Sequence, residues 1–200
     1  MQYRKNLIMK NGQAAILRSG VASDGQAALE VFNLTHEETD FLLSYPDESS
    51  MDAEQESEFL ERKTASANEV EILALVGNQV VGMAGIDAVG ACHKVSHRAE
   101  FGICLVKEYW GLGLGTALTK ACVQCAKDAG YAQVELDVVA DNVSAIHLYQ
   151  KLGFVEYGRN PKGFCSRMSG YQELIYMRLD LEGWVFSLRT NLINFSVFVV

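Results

Sequence analysis

Three alternating glycines are the feature of this sequence that most directly suggests chemistry. Gly111, Gly113 and Gly115 leave their backbone N–H groups unobstructed and permit backbone angles that other residues resist. The residues that follow repeat apolar side chains every three to four positions, which predicts a helix. A helix N-terminus attracts anions through its unpaired N–H groups and its dipole. The pattern therefore predicts a turn that binds a diphosphate.

Two common phosphate-binding motifs fit this turn poorly. A Walker P-loop requires a lysine after its glycines, and Gly115-Thr116-Ala117 contains none. A dinucleotide-binding turn has the pattern G-x-G-x-x-G and opens the first strand–helix–strand unit of its domain. The pattern here is G-x-G-x-G and lies beyond the middle of the chain. An NAD- or nucleotide-binding domain therefore remains a rival interpretation only.

A second segment, Asp141 to Phe154, carries an acid–base group. Asn142 is typical of a helix N-cap, and Gly153 is typical of the end of a helix. Tyr149 lies on the helix between them and offers a phenol close to a polar helix start. The alternative is a tyrosine that only packs against its neighbours Leu148 and Leu152.

Residues from about Val70 to Leu179 resemble the GCN5-related N-acetyltransferase (GNAT) family. In that family a turn with the pattern Arg/Gln-x-x-Gly-x-Gly/Ala receives the diphosphate of coenzyme A, and residues 110–115 take that place here. Trp110 replaces the usual Arg or Gln. The second segment is similar to the family pattern D/E-N-x-x-A-x-x-x-Y-x-K-x-G-F, with matches at Asn142, Ala145, Tyr149, Lys151, Gly153 and Phe154.

This resemblance implies a fold and a cofactor. The fold is a single-domain α/β structure whose mixed sheet has helices on both faces and splayed central strands. Acetyl-CoA is the implied co-substrate, and no metal is expected. Backbone groups of the strand before the turn would hold the pantetheine arm and polarise the thioester carbonyl. The residues expected to contact coenzyme A are Cys104, Leu105, Val106, Gly111, Leu112, Gly113, Leu114, Gly115, Thr116, Asn142, Ala145, Tyr149 and Lys151.

The resemblance also implies which groups move protons. Tyr149 would act as the general acid for the departing thiolate. Glu100 lies in a strand similar to one in histone acetyltransferases, where a glutamate is the base, although it could instead face solvent or pair with Arg98. Glu173 is a second acidic candidate for holding the substrate. Cys104 could form an acetyl-cysteine, but most of the family transfers the acetyl group directly.

The elements that must position these groups alternate between strands and helices, which is typical of a mixed sheet covered by helices. Asn11-Gly12 predicts a hairpin turn near the start of the chain. Helices are expected from Ser23 or Asp24, over about Asp52 to Ser66 with an exposed glutamate-rich face, from the glycine turn to Gly130, and over Asn142 to Leu152. Strands are expected over Tyr3–Met9, Ala14–Arg18, Val70–Val76, Gln79–Ala88, Arg98–Val106, Gln133–Ala140, from Phe154, and over Tyr171–Leu179.

Length and composition favour one N-acetyltransferase domain over residues 1–180, followed by an apolar tail of unknown role over 181–200. A net charge of −8 argues against nucleic acid as a partner and mildly favours cationic substrates.

The first ten residues lack an apolar leader segment, and Arg189 and Thr190 interrupt the tail, which argues against a membrane span. A cytoplasmic location is therefore expected.

The five cysteines are an odd number, which argues against a disulfide framework. Cys122 and Cys125 form a C-x-x-C inside a helical pattern with no second pair, so buried thiols are predicted rather than zinc ligands. His93 and His97 flank a loop that offers no third ligand beside them.

The prediction is an acetyl-CoA-dependent N-acetyltransferase, an acyltransferase whose acceptor is a primary amine. The acceptor could be a small metabolite, an antibiotic, or a peptide or protein N-terminus. The alternative is a non-catalytic module that binds or senses acyl-CoA. The resemblance also allows a homodimer, because many proteins of the family are dimers and the apolar tail could form the contact between two copies.

Overall fold

The computed structural model describes residues 1–48 and 50–181, which form an eight-stranded sheet flanked by helices. The strands are β1 (Arg4–Ile8), β2 (Ala14–Ser19), β3 (Val70–Val76), β4 (Gln79–Ala88), β5 (Arg98–Leu105), β6 (Gln133–Val139), β7 (Val155–Ser166) and β8 (Gly170–Asp180). The helices are α1 (Gly25–Glu38), α2 (Ala53–Ala65), α3 (Leu114–Asp128) and α4 (Val143–Lys151). The predicted fold class is confirmed. Apart from Leu181, the predicted tail lies outside the described residues.

The sheet has the strand order β1-β2-β3-β4-β5-β6-β8-β7 and is antiparallel except where β5 meets β6. That parallel pair joins only Arg98–Glu100 to Gln133–Glu135. Beyond it, β5 stays paired with β4 up to Leu105, and β6 stays paired with β8 up to Val139. The two central strands therefore separate, which is the splayed arrangement that the sequence predicted.

Strand residues alternate between two apolar layers. Ile72 of β3 and Ile86 of β4 are fully buried in a cluster with Leu118 of α3. On the opposite face, Leu73 is buried in a second cluster with Leu60 of α2. Burying each such side chain stabilises the fold by roughly 1.5–3 kcal/mol. Helices consequently cover both faces and fix the sheet that carries the site.

A local capping signal sets the start of α2, whereas the candidate cap of α1 makes a different contact. The Asp52 carboxylate accepts hydrogen bonds from the N–H groups of Glu54 and Gln55 at 3.0 and 2.9 Å, and the Gln55 side chain returns a bond to Asp52. This capping box starts α2 where predicted. Asp24 stands at the N-cap of α1, but its carboxylate binds Arg18 at 2.6 and 2.8 Å and makes no side-chain cap.

Three further sequence expectations can be compared with the structure. The predicted exposed glutamate face of α2 is wrong at Glu56, whose residue surface is only 6% exposed. Cys122 and Cys125 are both buried, as predicted. The strand expected from Phe154 begins at Val155 and continues to Ser166, which gives a longer final hairpin than expected. Within residues 1–48 and 50–181, every helix is too short or too polar to cross a membrane.

Candidate active site

The separation of β5 from β6 opens a cleft of about 670 Å³. Its walls come from β5, the glycine turn, the first turn of α3, β6 and α4. The two sequence motifs therefore share one cavity. The predicted residues that line it are Glu100, Cys104, Leu105, Gly111, Gly113, Gly115, Thr116, Asn142, Ala145, Tyr149 and Lys151.

The glycine turn presents the N-terminus of α3 to this cleft. Gly111 and Gly113 have φ values of +75° and +96°, a backbone region that L side chains rarely adopt. Gly113 is the N-cap residue, and α3 begins at Leu114. The first N–H groups of a helix lack partners within the helix, so they are available to an anion.

Three predicted contact residues do not line the cleft. Leu114 is fully buried in the apolar core, and Val106 is buried in the cluster beneath α1 and α2. Leu112 is partly buried, and its carbonyl accepts a hydrogen bond from the N–H of Lys10 at 3.1 Å. These residues support the turn by packing and by backbone bonding.

Lys10 is a cleft residue that the sequence motifs did not indicate. It belongs to the turn between β1 and β2 and lines the cleft beside Gly113. Its Cγ and Cε each lie 4.0 Å from the place that a Cβ would take on Gly113. A lysine ammonium is thus tethered next to the glycine turn. Lys10 and Gly113 are far apart in sequence and meet only because the first hairpin folds against the start of α3, so no sequence motif could indicate this contact.

Trp110 stabilises the end of β5. Its indole N–H donates a 2.7 Å hydrogen bond to the carbonyl of Leu105, and its ring lies 6.0 Å from the Lys107 ammonium. The side chain is 42% exposed and lines the cleft. Trp110 therefore ties the strand to the turn at the position where the family pattern has Arg or Gln.

Helix α4 brings its cap and its phenol to the opposite wall. Asn142 is the N-cap, and its side chain accepts a 3.2 Å hydrogen bond from the N–H of Ala145. Tyr149 is 8% exposed and packs edge-on against Phe101, with ring centroids 6.2 Å apart. Burial raises the pKa of the Tyr149 phenol well above its usual value. The phenol both packs in the core and lines the cleft, and it stays protonated at neutral pH.

Glu100 faces the same cleft and is exposed there. The expected alternative pairing with Arg98 is wrong, because Arg98 binds both carboxylate oxygens of Glu135, at 2.5 and 2.6 Å. Desolvation, followed by the negative charges of Asp137 and Asp87, raises the pKa of Glu100. A raised pKa makes its carboxylate a better proton acceptor.

Two other candidates fit a role in the reaction less well. Burial raises the pKa of the Cys104 thiol to about 11, so little thiolate is available to form an acetyl-cysteine. Glu173 lies outside the residues that line the cleft, and its carboxylate is bound by Arg159 at 2.8 Å.

A second pocket of about 380 Å³ adjoins the cleft, beneath α1 and α2. Six of the described residues line both cavities, namely Leu42, Leu43, Asp87, Gly102, Ile103 and Cys104. Glu56 and Glu71 line the second pocket and not the cleft. Among the described residues, no group of three or more His, Cys, Asp or Glu side chains is arranged to hold a metal ion.

A family model described as the acetyltransferase (GNAT) family matches residues 30–154. The chain is 32% identical over 108 residues to an L-amino acid N-acetyltransferase of Escherichia coli, which covers 54% of this chain and 65% of that protein. An N-acetyltransferase from another organism is matched over 49% of its length. The chain thus spans about half to two thirds of the length of these curated relatives.

Solved structures share the fold. An acetyltransferase of the GNAT family from Streptococcus pneumoniae has a TM-score of 0.80 and 27% identity, over 84% of this chain and 99% of that one. A phosphinothricin acetyltransferase from Sinorhizobium meliloti, solved in complex with acetyl-CoA, has a TM-score of 0.73 and 21% identity, over 84% of this chain and 88% of that one.

Proposed function

The chain belongs to the acetyltransferase (GNAT) family, and from this premise we propose that it transfers the acetyl group of acetyl-CoA to a primary amine. The observation that carries the proposal is the single cleft into which the glycine turn, Asn142, Tyr149 and Glu100 all open. A structural relative is described with acetyl-CoA bound, which supports the choice of cofactor.

The cleft offers complementary groups for the diphosphate and the pantetheine arm of coenzyme A. The N–H groups at Gly113 and Gly115 and the ammonium of Lys10 would hold the diphosphate. Beyond Glu100 the edge of β5 has left β6, so its backbone groups are available to the pantetheine arm. The Leu105 carbonyl is the exception, because Trp110 already donates to it.

The proposed reaction is a direct attack of the amine on the thioester carbon. Glu100 takes the proton of the attacking amine, directly or through water, as the C–N bond forms. Tyr149 donates its phenolic proton to the sulfur as the C–S bond breaks, and the thiol leaves. The raised pKa of Tyr149 keeps that proton in place until negative charge develops on the sulfur.

We expect Tyr149→Phe to lower kcat by about 100-fold or more, since a positioned general acid typically contributes at least that factor. The affinity for acetyl-CoA should change little, because the ring still packs against Phe101. Thiol release with a panel of primary amines measures the rate, and calorimetry measures the affinity.

Acetyl-CoA binding without transfer to any amine would contradict the proposal and favour a non-catalytic acyl-CoA-binding module. Unchanged kcat in Tyr149→Phe would overturn the role of this residue. Tyr171→Phe is a matched control, since Tyr171 is 67% exposed and lies outside the residues that line the cleft.

A further inference from the structure

The pocket beneath α1 and α2, named here the acidic pocket, has more carboxylates than cations. Glu56, Glu71 and Asp87 line it, and Lys63 lies next to it. The Lys63 ammonium pairs with Asp87 and donates to the Ile86 carbonyl at 3.2 Å. One cation, the Lys63 ammonium, therefore faces three acidic groups, and it is already paired with Asp87.

Glu56 is the clearest carboxylate without a protein partner in the pocket. It is only 6% exposed, yet its side chain lines the acidic pocket. No side chain or backbone N–H in the described residues donates to its carboxylate, and desolvation alone raises its pKa. Because a carboxylate among apolar walls is costly without a positive partner, the opening of Glu56 into this cavity favours a cationic ligand.

Glu71 lies on the floor of the pocket. It stands opposite Gly85 in the β3–β4 register, and a Cβ on Gly85 would lie 2.1 Å from its Oε2. The missing side chain at Gly85 thus makes room for this carboxylate. His36 also faces the pocket, but its Nδ1 lies 2.6 Å from the Phe32 carbonyl and burial lowers its pKa. A neutral His36 leaves the acidic groups uncompensated.

The acidic pocket adjoins the cleft that contains Glu100, and Gly102 lines both cavities. Glu71, Gly85 and Gly102 stand opposite one another across β3, β4 and β5. Two strand spacings make this row about 10 Å long. Gly102 has no side chain on this face of the sheet, and Glu100 follows on the same face of β5, two residues away.

The walls of the acidic pocket are apolar. Leu29, Phe32, Phe59 and Met83 contribute side chains around the carboxylates. Such walls favour methylene groups, while the carboxylates favour a positive charge at the end of the ligand. A free carboxylate on the ligand would meet like charges and no available cation.

Building on the proposed function, we propose that the acceptor is an aliphatic diamine. Its neutral amine is acetylated beside Glu100, and its second amine, protonated, is held by Glu56 and Glu71, with Glu71 releasing its own proton to solvent as the ammonium enters. The amine nitrogen bonds to the acetyl carbon and passes one proton to Glu100, while the C–S bond breaks and Tyr149 donates a proton to the leaving sulfur. The second ammonium takes no part in bond making.

Calorimetry with the protein saturated with coenzyme A tests this inference without requiring turnover. The probes are 1,5-diaminopentane and 5-amino-1-pentanol, which differ only in the second amine. We expect the diamine to bind at least about tenfold more tightly, or about 1.4 kcal/mol. Equal affinity for the two probes would overturn the inference.

Glu56→Gln should remove most of the preference for the diamine, because the charge that holds its second ammonium is lost. Glu58→Gln is the matched control, since Glu58 lies on the same helix and is exposed. If circular dichroism shows that Glu56→Gln does not fold, Glu71→Gln provides the same comparison. A preference retained in the folded variant would contradict the assignment.

Thiol release on the same samples separates the two proposals. Tight diamine binding with no acetyl transfer to any amine would contradict the proposed function and leave the acidic pocket supported. Efficient transfer to amines with no preference for the diamine would support the function and overturn the diamine assignment.

Discussion

Single side chains decide which charges the cleft presents. Lys10 reaches the glycine turn from a hairpin far away in sequence, and Trp110 bonds to Leu105 where the family pattern has a residue that can contact phosphate. The positive charge that Trp110 lacks is therefore present in the cleft from another element. Neither contact is encoded in a local motif, so the sequence could predict the turn and not this cation.

Lys10→Met should weaken acetyl-CoA binding by about tenfold, since a charge-assisted contact to phosphate contributes about 1.4 kcal/mol or more. The effect should shrink as salt is added, because the contact is electrostatic and exposed. Calorimetry at two ionic strengths measures both. Lys5→Met is the control, as Lys5 is exposed on β1 and lies outside the residues that line the cleft. Identical losses in both variants would argue against a specific role for Lys10.

Secondary-structure elements were the most predictable level of this protein. Asp52 and Gln55 start α2 by a capping box, and positive-φ glycines follow α3 and α4 where the sequence placed their ends. Each signal is local, and so the sequence reveals it. The burial of Glu56 depends instead on how α2 packs over β3 and β4, and helical periodicity could not distinguish it from its exposed neighbours.

The row formed by Glu71, Gly85 and Gly102 across β3, β4 and β5 can be tested at Gly85. Gly85→Ala would place a methyl group 2.1 Å from the Glu71 carboxylate and 3.0 Å from the Val70 carbonyl. We expect a loss of about 1–3 kcal/mol in the free energy of unfolding, as for other overpacked sites. Urea denaturation measures the loss.

Gly102→Ala is the matched control for Gly85→Ala in the neighbouring strand. A Cβ on Gly102 would meet no atom within 4 Å, and its backbone is not in the left-handed region. Stability within about 0.5 kcal/mol of wild type is expected, as for surface changes. If Gly102→Ala lowered the free energy of unfolding as much as Gly85→Ala does, the loss would come from replacing a strand glycine and not from crowding at Glu71.

For the whole molecule, the acidic pocket makes stability depend on pH. Burial raises the pKa of Glu71 from 4.5 to about 8. Between these values the folded state holds a proton that the unfolded state has released, so the free energy of unfolding falls as the pH rises. Each pKa unit corresponds to roughly 1.4 kcal/mol, and the partial exposure of Glu71 reduces the total.

Glu71→Gln should flatten this pH dependence between about pH 5 and 8, because glutamine has no proton to release. Urea denaturation at several pH values measures the slope for the wild type and the variant. Glu61→Gln, at an exposed position on α2, should keep the wild-type slope. A stability that rises with pH in the wild type over this window would contradict the raised pKa.

The early end of the β5–β6 pairing has a further consequence for the lifetime of the protein. Past Glu100 the sheet is one partner short in its middle, and the pantetheine arm would act as the missing strand. A ligand that completes a sheet binds only the folded chain, so cofactor at 100 times its Kd adds about 2.7 kcal/mol to stability. The supply of acetyl-CoA would then govern how long each molecule survives as well as how fast it works.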